Sequence, residues 1–243
     1  MKPAKKTDGN GDEKMKAVIL AAGKGVRMKP LTDDKPKALV ELRGKPLVEY
    51  ALDACKNAGI EKVALVVGYL GEQVKKKYGS DFNGMPLTYI TQHEQLGTAH
   101  AIGLCRHFAR DDFLAINCDV VFGKGLLEEL MKVEGFDAVV VARKDKEPWK
   151  FGCLKSEGKK LVEIVEKPAC GREPSKLVNA GVYRFGHKIF GAIDETRKSA
   201  RGEYEITDAI NLLAGKGRAG FMEYGGKIED IGELADLSKK NNP

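Results

Sequence analysis

No stretch of about 18 apolar residues occurs in the chain, so no membrane-crossing helix and no membrane partner are expected. The N-terminal MKPAKKTDGNGDEK has no apolar core of the kind a secretory signal needs. Its low hydrophobicity and mixed charge predict a disordered tail over 1–14, ahead of one ordered domain over 15–243. Cysteine is scarce and odd in number, five in all, without paired metal-type spacing. Cys55, Cys105, Cys118 and Cys153 sit in apolar runs and read as small core hydrophobes of a cytoplasmic protein. His93 and His100 have no partner at ligand spacing, and both read as non-catalytic. A large charge excess is also missing. The net charge of +6 is modest, and many of the cations share one loop, which points to a local anionic ligand and away from a nucleic-acid face. Two glycine signatures are absent as well. Met28 stands where a dinucleotide loop needs its third glycine, and no G-x-x-x-x-G-K-[ST] spacing occurs.

What is present begins at Ala17. A short apolar run to Ala22 reads as a buried strand entering a loop at Gly23. The loop carries Gly23 and Gly25 with Lys24, Arg27, Lys29, Lys35 and Lys37. Glycine lets backbone N–H groups approach an anion closely, and the basic side chains supply countercharge. A strand, a glycine turn and clustered cations suggest a nucleoside triphosphate site.

Downstream, Val40–Leu42 reads as a short strand. Pro46 suits the first turn of a helix striped by Leu47, Ala51, Ala54 and Ala58 and closed by Gly59. Val63–Val67 is a second apolar strand, Glu72–Tyr78 a short helix and Leu87–Thr91 a third strand. This β-α-β-α-β order predicts parallel pairing with covering helices. Thr98 suits the cap of a helix running to about Phe108, and Gly97 leaves room for a planar ring. Gln92 and Gln95 have amide groups suited to a base edge. Phe113–Cys118 is a fourth strand with Asp119 at its carboxyl end, where α/β sheets bind ligands. A carboxylate there can hold Mg²⁺ against phosphate oxygens, or it can simply cap a turn. Further strands are expected at 138–142, 149–154, 161–165, 178–185 and 221–224, with helices at 126–133 and from a cap near Thr207.

The run Leu20, Ala21, Ala22, Gly23, Lys24, Gly25, Val26, Arg27, followed by Pro36–Lys37 and Gly44–Lys45–Pro46, resembles the signature of the sugar-1-phosphate nucleotidylyltransferases. The segment Gln92 to Ala101, Q-x-E-Q-L-G-T-x-H-A, is similar to the base-reading segment of the UTP-using N-acetylglucosamine-1-phosphate uridylyltransferases. Phe151–Gly152, Glu166–Lys167–Pro168 and Asn179–Ala180–Gly181 follow in the order found in that family's sugar-binding half, and G-E-Y-x-x-T-D at Gly202–Asp208 also resembles this branch. The resemblance implies a Rossmann-like, three-layer α/β fold with a mixed, mostly parallel central sheet. It implies nucleotide contacts from Leu20, Ala22, Gly23, Lys24, Gly25, Gln92, Gly97 and Thr98. It implies sugar contacts from Gly152, Glu166, Lys167 and Asn179, with Tyr204 packing beneath them. Arg27 and Lys37 become the catalytic cations, and Asp119 and Asp230 the ligands of a Mg²⁺ cofactor. Asp230 lies in Ile228–Gly232, similar to the family's W-x-D-x-G but without its aromatic residue, and Glu229 is the other carboxylate in reach.

The implied partners are a nucleoside triphosphate and a sugar 1-phosphate, with a homo-oligomer left open. No hexapeptide repeat follows, so neither a β-helix domain nor acetyl transfer is expected. Three other readings stand beside this one. The base could be thymine or cytosine, with another sugar or small phosphate as acceptor. The chain could be an inactive regulatory member of the same fold, although four intact charges at Arg27, Lys37, Asp119 and Asp230 argue against that. A nicotinamide-binding protein would use Glu41 on the ribose, but would leave the basic cluster unexplained.

Overall fold

A computed structural model describes residues 15–241, so the expected disordered tail lies outside the described residues. In chain order the elements are β1 (Lys16–Ala21), β2 (Glu41–Leu42), β3 (Lys45–Pro46), α1 (Leu47–Asn57), β4 (Lys62–Val67), α2 (Gly71–Tyr78), β5 (Asp81–Phe82) and β6 (Met85–Thr91). There follow α3 (Thr98–Gly103), β7 (Phe113–Asn117), β8 (Val120–Phe122), α4 (Leu126–Met131), β9 (Ala138–Lys144), β10 (Gly152–Glu157), β11 (Lys160–Glu166) and β12 (Leu177–Phe185). Last come α5 (Ile189–Glu195), α6 (Ile206–Gly215), β13 (Ala219–Glu223), β14 (Ile228–Asp230) and α7 (Leu234–Asn241). Among the described residues no helix is long and apolar enough to cross a membrane.

One sheet runs β10-β11-β13-β9-β12-β7-β1-β4-β6-β5. β1 lies near its centre, parallel to both β4 and β7, and β6 continues the parallel set. The carboxyl ends of these strands therefore open on one edge, and the glycine loop, Gln92 and Asp119 leave from there. β12 runs antiparallel to both β7 and β9, so the sheet is mixed. Among the described residues, parallel pairing returns at β9–β13 alone. Central strands covered on both faces need apolar side chains on both, and β1 has them. Val18 joins the core under α3, α5 and α6, while Ala17, Ile19 and Ala21 join the one under α1, α2 and α4. These are the three layers expected.

Several local expectations are corrected. Pro46 precedes α1 at its N-cap position instead of opening its first turn. Residues 148–150 form a short 3-10 turn in place of a strand, because Pro148 starts a turn that Lys150 and Phe151 close onto the carbonyls of Glu147 and Pro148. The helix expected to reach Phe108 stops at Gly103 and continues as single turns. Thr98 and Thr207 are not caps; Gly97 and Glu205 hold those positions. The chain also adds a strand after β13. β14 pairs antiparallel with β8, setting Asp230 opposite Val120.

Candidate active site

The glycine loop folds around Gly25, whose φ of +63° puts it in the left-handed region. A Cβ there would sit 3.0 Å from both Lys37 Cβ and Thr32 Cγ2, so the loop lies directly on Lys37. The Thr32 hydroxyl donates to the Gly25 carbonyl at 2.9 Å, and Met28 N–H donates to the same oxygen at 2.8 Å. Met28 is fully buried with Leu42, Leu47, Ile231 and Leu237. This packing joins the loop to the segment after β14.

Lys37 is buried, and its ammonium donates to Asp119 Oδ2 at 2.5 Å. Burial works to lower the lysine's pKa, but the groups around it, Asp119 first with Cys118 and Asp230 adding to it, together outweigh burial and the net direction is up, so Lys37 stays charged. Asp119 is held at the β7 end by its own carbonyl, which accepts from Ile231 N–H at 2.9 Å. The β8–β14 ribbon thus brings Asp230 beside Asp119. Burial first, and then the Asp119 charge, push the Asp230 carboxyl up to about 6. Glu229, the other carboxylate in reach, points into a different cluster. Burial acts to raise its pKa, but Lys227 and Arg43, at 3.1 Å each, hold it below the usual range.

A cleft of about 340 Å³ is lined by Leu20, Ala22, Gly23, Gly25, Arg27, Lys37, Gln92, Gly97, Thr98 and Asp119. Lys24 is exposed and outside the lining of this cleft. Gln92 and Gln95 play another part than free base-readers. Gln92 Nε2 donates to the Gly97 carbonyl at 3.1 Å and lies 3.0 Å from His100 Nδ1, and Gln95 Nε2 donates to the Ala22 carbonyl at 2.5 Å. Both amides brace the cleft wall. The space in front of Gly97 is also taken: a Cβ there would lie 2.5 Å from Tyr204 O and 2.8 Å from Tyr204 N. Tyr204 N–H donates to the Leu96 carbonyl at 2.8 Å, and its carbonyl accepts from Ala99 N–H at 2.9 Å. Thr98 Oγ1 accepts from Ile206 N–H at 3.0 Å. The Tyr204 backbone thus supports the Leu96–Ala99 segment, where a place under the sugar site was expected. Gly97 combines a φ of +101° with an extended ψ, a conformation that costs other residues about 1–3 kcal/mol. Gly97→Ala is therefore expected to lower stability by at least about that amount and to weaken nucleotide binding, checked by urea melts and nucleotide titration.

A second cleft, of about 180 Å³, is lined by Gly152, Glu166, Lys167, Asn179 and Asp230, together with Lys150, Phe151 and Tyr183. A Cβ on Gly152 would meet Ile164 Cγ2 at 2.9 Å and Glu166 Oε2 at 3.0 Å, so the glycine keeps this cleft open. Asn179 is braced internally, donating to Tyr183 Oη at 2.8 Å and accepting from Gly181 N–H at 2.9 Å. Lys167 sits at φ +42°, a strained position for a lysine. Burial raises the Glu166 pKa, with Arg201 and Lys167 pulling it back.

Arg27 and Asn117 line both clefts, which therefore adjoin. Reasoning from sequence gave no site role to Asn117, Lys150, Glu203 and Gly232. Glu203 and Gly232 lie inside motifs that the sequence shows, Lys150 directly precedes Phe151–Gly152, and Asn117 stands two residues before Asp119 at a strand end.

Comparison with known proteins gives the family and the fold. The family model described as "Nucleotidyl transferase" matches residues 16–243. The bifunctional protein GlmU of Methanococcus maripaludis strain S2 is 36% identical over 230 residues, covering 94% of this chain and 54% of that protein. The chain thus spans about half the length of the GlmU relatives it matches. The UTP–glucose-1-phosphate uridylyltransferase AglF of Haloferax volcanii is 38% identical over 209 residues, covering 84% of this chain and 85% of that one. A solved structure from Bacillus anthracis, assigned as a glucose-1-phosphate thymidylyltransferase and complexed with a sucrose, aligns with a TM-score of 0.84 at 31% identity, over 93% of this chain and 94% of that one. By the residues it matches and the fold it shares, the chain belongs to the nucleotidyl transferase family.

Proposed function

We propose that this protein transfers a nucleotidyl group from a nucleoside triphosphate, UTP first among them, to a sugar 1-phosphate. N-acetylglucosamine 1-phosphate and glucose 1-phosphate are the favoured acceptors, and the products are a nucleoside diphosphate sugar and pyrophosphate. The observation that carries this reading is the junction of the two clefts. Arg27 and Asn117 line both, with Lys37 and Asp119 on one side and Asp230 on the other. Two anionic substrates in adjoining clefts would meet over a shared set of charges. The similarity to AglF and the Gln92–Ala101 segment support a uridine nucleotide.

In this reading a sugar phosphate oxygen attacks the α-phosphorus in line, and the bond to the β-phosphate oxygen breaks. A phosphate monoester is already anionic at neutral pH, so no general base is required. The chain's task is to hold two anions together and offset the charge that develops. The backbone at Gly23–Gly25 would cradle the triphosphate. Lys37 would bridge the α-phosphate and the incoming phosphate, and Arg27 would take the leaving pyrophosphate on its planar fork. Lys167 would bind the sugar phosphate, with Glu166 and Asn179 on the sugar hydroxyls.

The donor set suits Mg²⁺. Among the described residues no group of three or more His, Cys, Asp or Glu side chains converges as a metal cage. Mg²⁺ commonly takes one or two carboxylates and completes its shell with phosphate and water. Asp119 and Asp230 supply that pair, and Asp119's charge already acts on Asp230. Held there, Mg²⁺ would screen the repulsion between nucleophile and nucleotide.

The test is pyrophosphate release with Mg²⁺, crossing UTP, dTTP, CTP and GTP with the 1-phosphates of glucose, N-acetylglucosamine, galactose and mannose. Release that needs both UTP and one of the two favoured sugar phosphates is expected. A response to dTTP or CTP alone would move the assignment to thymidylyl or cytidylyl transfer. Silence in every well from folded protein would favour an inactive member of the fold.

A further inference from the structure

Arg27 has a partner that the transfer reaction leaves unused. Its Nη1 lies 3.2 Å from Glu233 Oε1. A Cβ on Gly232 would sit 3.3 Å from Nη2 and 3.6 Å from Cζ, so the guanidinium rests against the 232–233 backbone. This seat is built into the fold. Met28, next to Arg27, shares its buried cluster with Ile231 and Leu237. The Glu233 backbone is fixed in turn, because its N–H donates to Asp236 Oδ2 at 2.9 Å and its carbonyl accepts from Asp236 N–H at 3.1 Å. That backbone presents a carboxylate to Arg27, which lines both clefts.

We infer that Glu233 is a resident counter-anion for Arg27. It occupies the guanidinium in the substrate-free protein and exchanges with the pyrophosphate group when that group binds. The inference rests on the nucleotidyl-transfer reading. A carboxylate and a phosphate compete for the same planar donors, and the fork serves one of them well at a time. The Arg27 and Glu233 side chains are 65% and 56% exposed. A pair so open to water is weak, so it yields to an anion of higher charge. For the same reason it returns as the product leaves, and Glu233 acts against retention of pyrophosphate.

The experiment is calorimetric titration of inorganic pyrophosphate with Mg²⁺ into wild type, Glu233→Gln, Arg27→Gln and the double variant. Glu233→Gln is expected to tighten pyrophosphate binding about three- to five-fold, the size of an exposed ion pair. Arg27→Gln should weaken binding, and in its background Glu233→Gln should change little. Unchanged or weaker binding in Glu233→Gln would overturn the inference and make Glu233 a support for Arg27. An equal gain with and without Arg27 would overturn it too, since that marks general charge removal. No pyrophosphate binding by the wild type would overturn the transfer reading, and the inference with it. Binding by wild type without a gain in Glu233→Gln would overturn the inference alone.

Discussion

Lys37→Ala is expected to cut turnover about 10²–10³-fold, the usual cost of removing one preorganised charge from a developing anion. The residue is buried, starts a tight turn under Gly25 and reaches Asp119 at 2.5 Å. It would thus serve two roles, as the cation over the reacting phosphates and as the counterion that lets two carboxylates sit close together. Removing it leaves Asp119 without that partner and takes a favourable charge from Asp230. Stability at pH 7.5 should therefore fall by about 1–3 kcal/mol, the cost of stranding a polar group. Part of the loss should return at pH 5.5, where the Asp230 carboxyl, at about 6 in the wild type, takes up its proton. Circular dichroism should stay as in wild type, because the core around β1 does not include the Lys37 side chain. Steady-state kinetics and melts at both pH values check this. Near-normal turnover would remove Lys37 from the mechanism.

What could be read from sequence was what lies close together along it. Ala17–Gly25 announces itself because a strand and its glycine turn are contiguous, and Asp119 because it directly follows an apolar run. Asp230 was harder to place than Asp119. Its neighbour is set by pairing of two three-residue strands more than 100 positions apart, and short strands carry little periodicity. The choice between Asp230 and Glu229 likewise depends on Arg43, which meets Glu229 from a distant turn. Gln92 and Gly97 were recognised, but for a contact with the base. The packed chain uses the Gln92 nitrogen on the Gly97 carbonyl and the missing Cβ of Gly97 for the Tyr204 backbone. A motif identifies which residues matter at a site. It does not say which of their atoms other parts of the chain will claim.

Asp230→Asn is expected to move stability and activity in opposite directions. The Asp230 carboxyl lies at about 6 in the folded chain against an ordinary 3.8, raised by burial and by Asp119. The folded state therefore binds this proton more tightly than the unfolded one. Metal-free wild type should be most stable below about pH 4 as far as this group is concerned, lose stability as pH rises toward 6, and level off above that. At pH 7.5 the ionised carboxylate is a cost of about 1–3 kcal/mol. Asparagine removes the charge at similar volume. The metal-free variant should thus melt higher than wild type at pH 7.5 and about equally at pH 4, with the difference reduced by what Lys37 loses. The same change removes one of the two carboxylates assigned to Mg²⁺, so turnover should fall about 10²–10³-fold, as for loss of another electrostatic stabiliser. The rise in melting temperature on adding Mg²⁺ should shrink or vanish. A variant that is less stable than wild type at pH 7.5 without metal would mean that Asp230 is a structural ion-pair residue. A variant that keeps its Mg²⁺ response would move the second ligand elsewhere. Higher stability together with lost activity would mark Asp230 as a residue kept ionised against the interest of the fold, for the sake of the cation it holds.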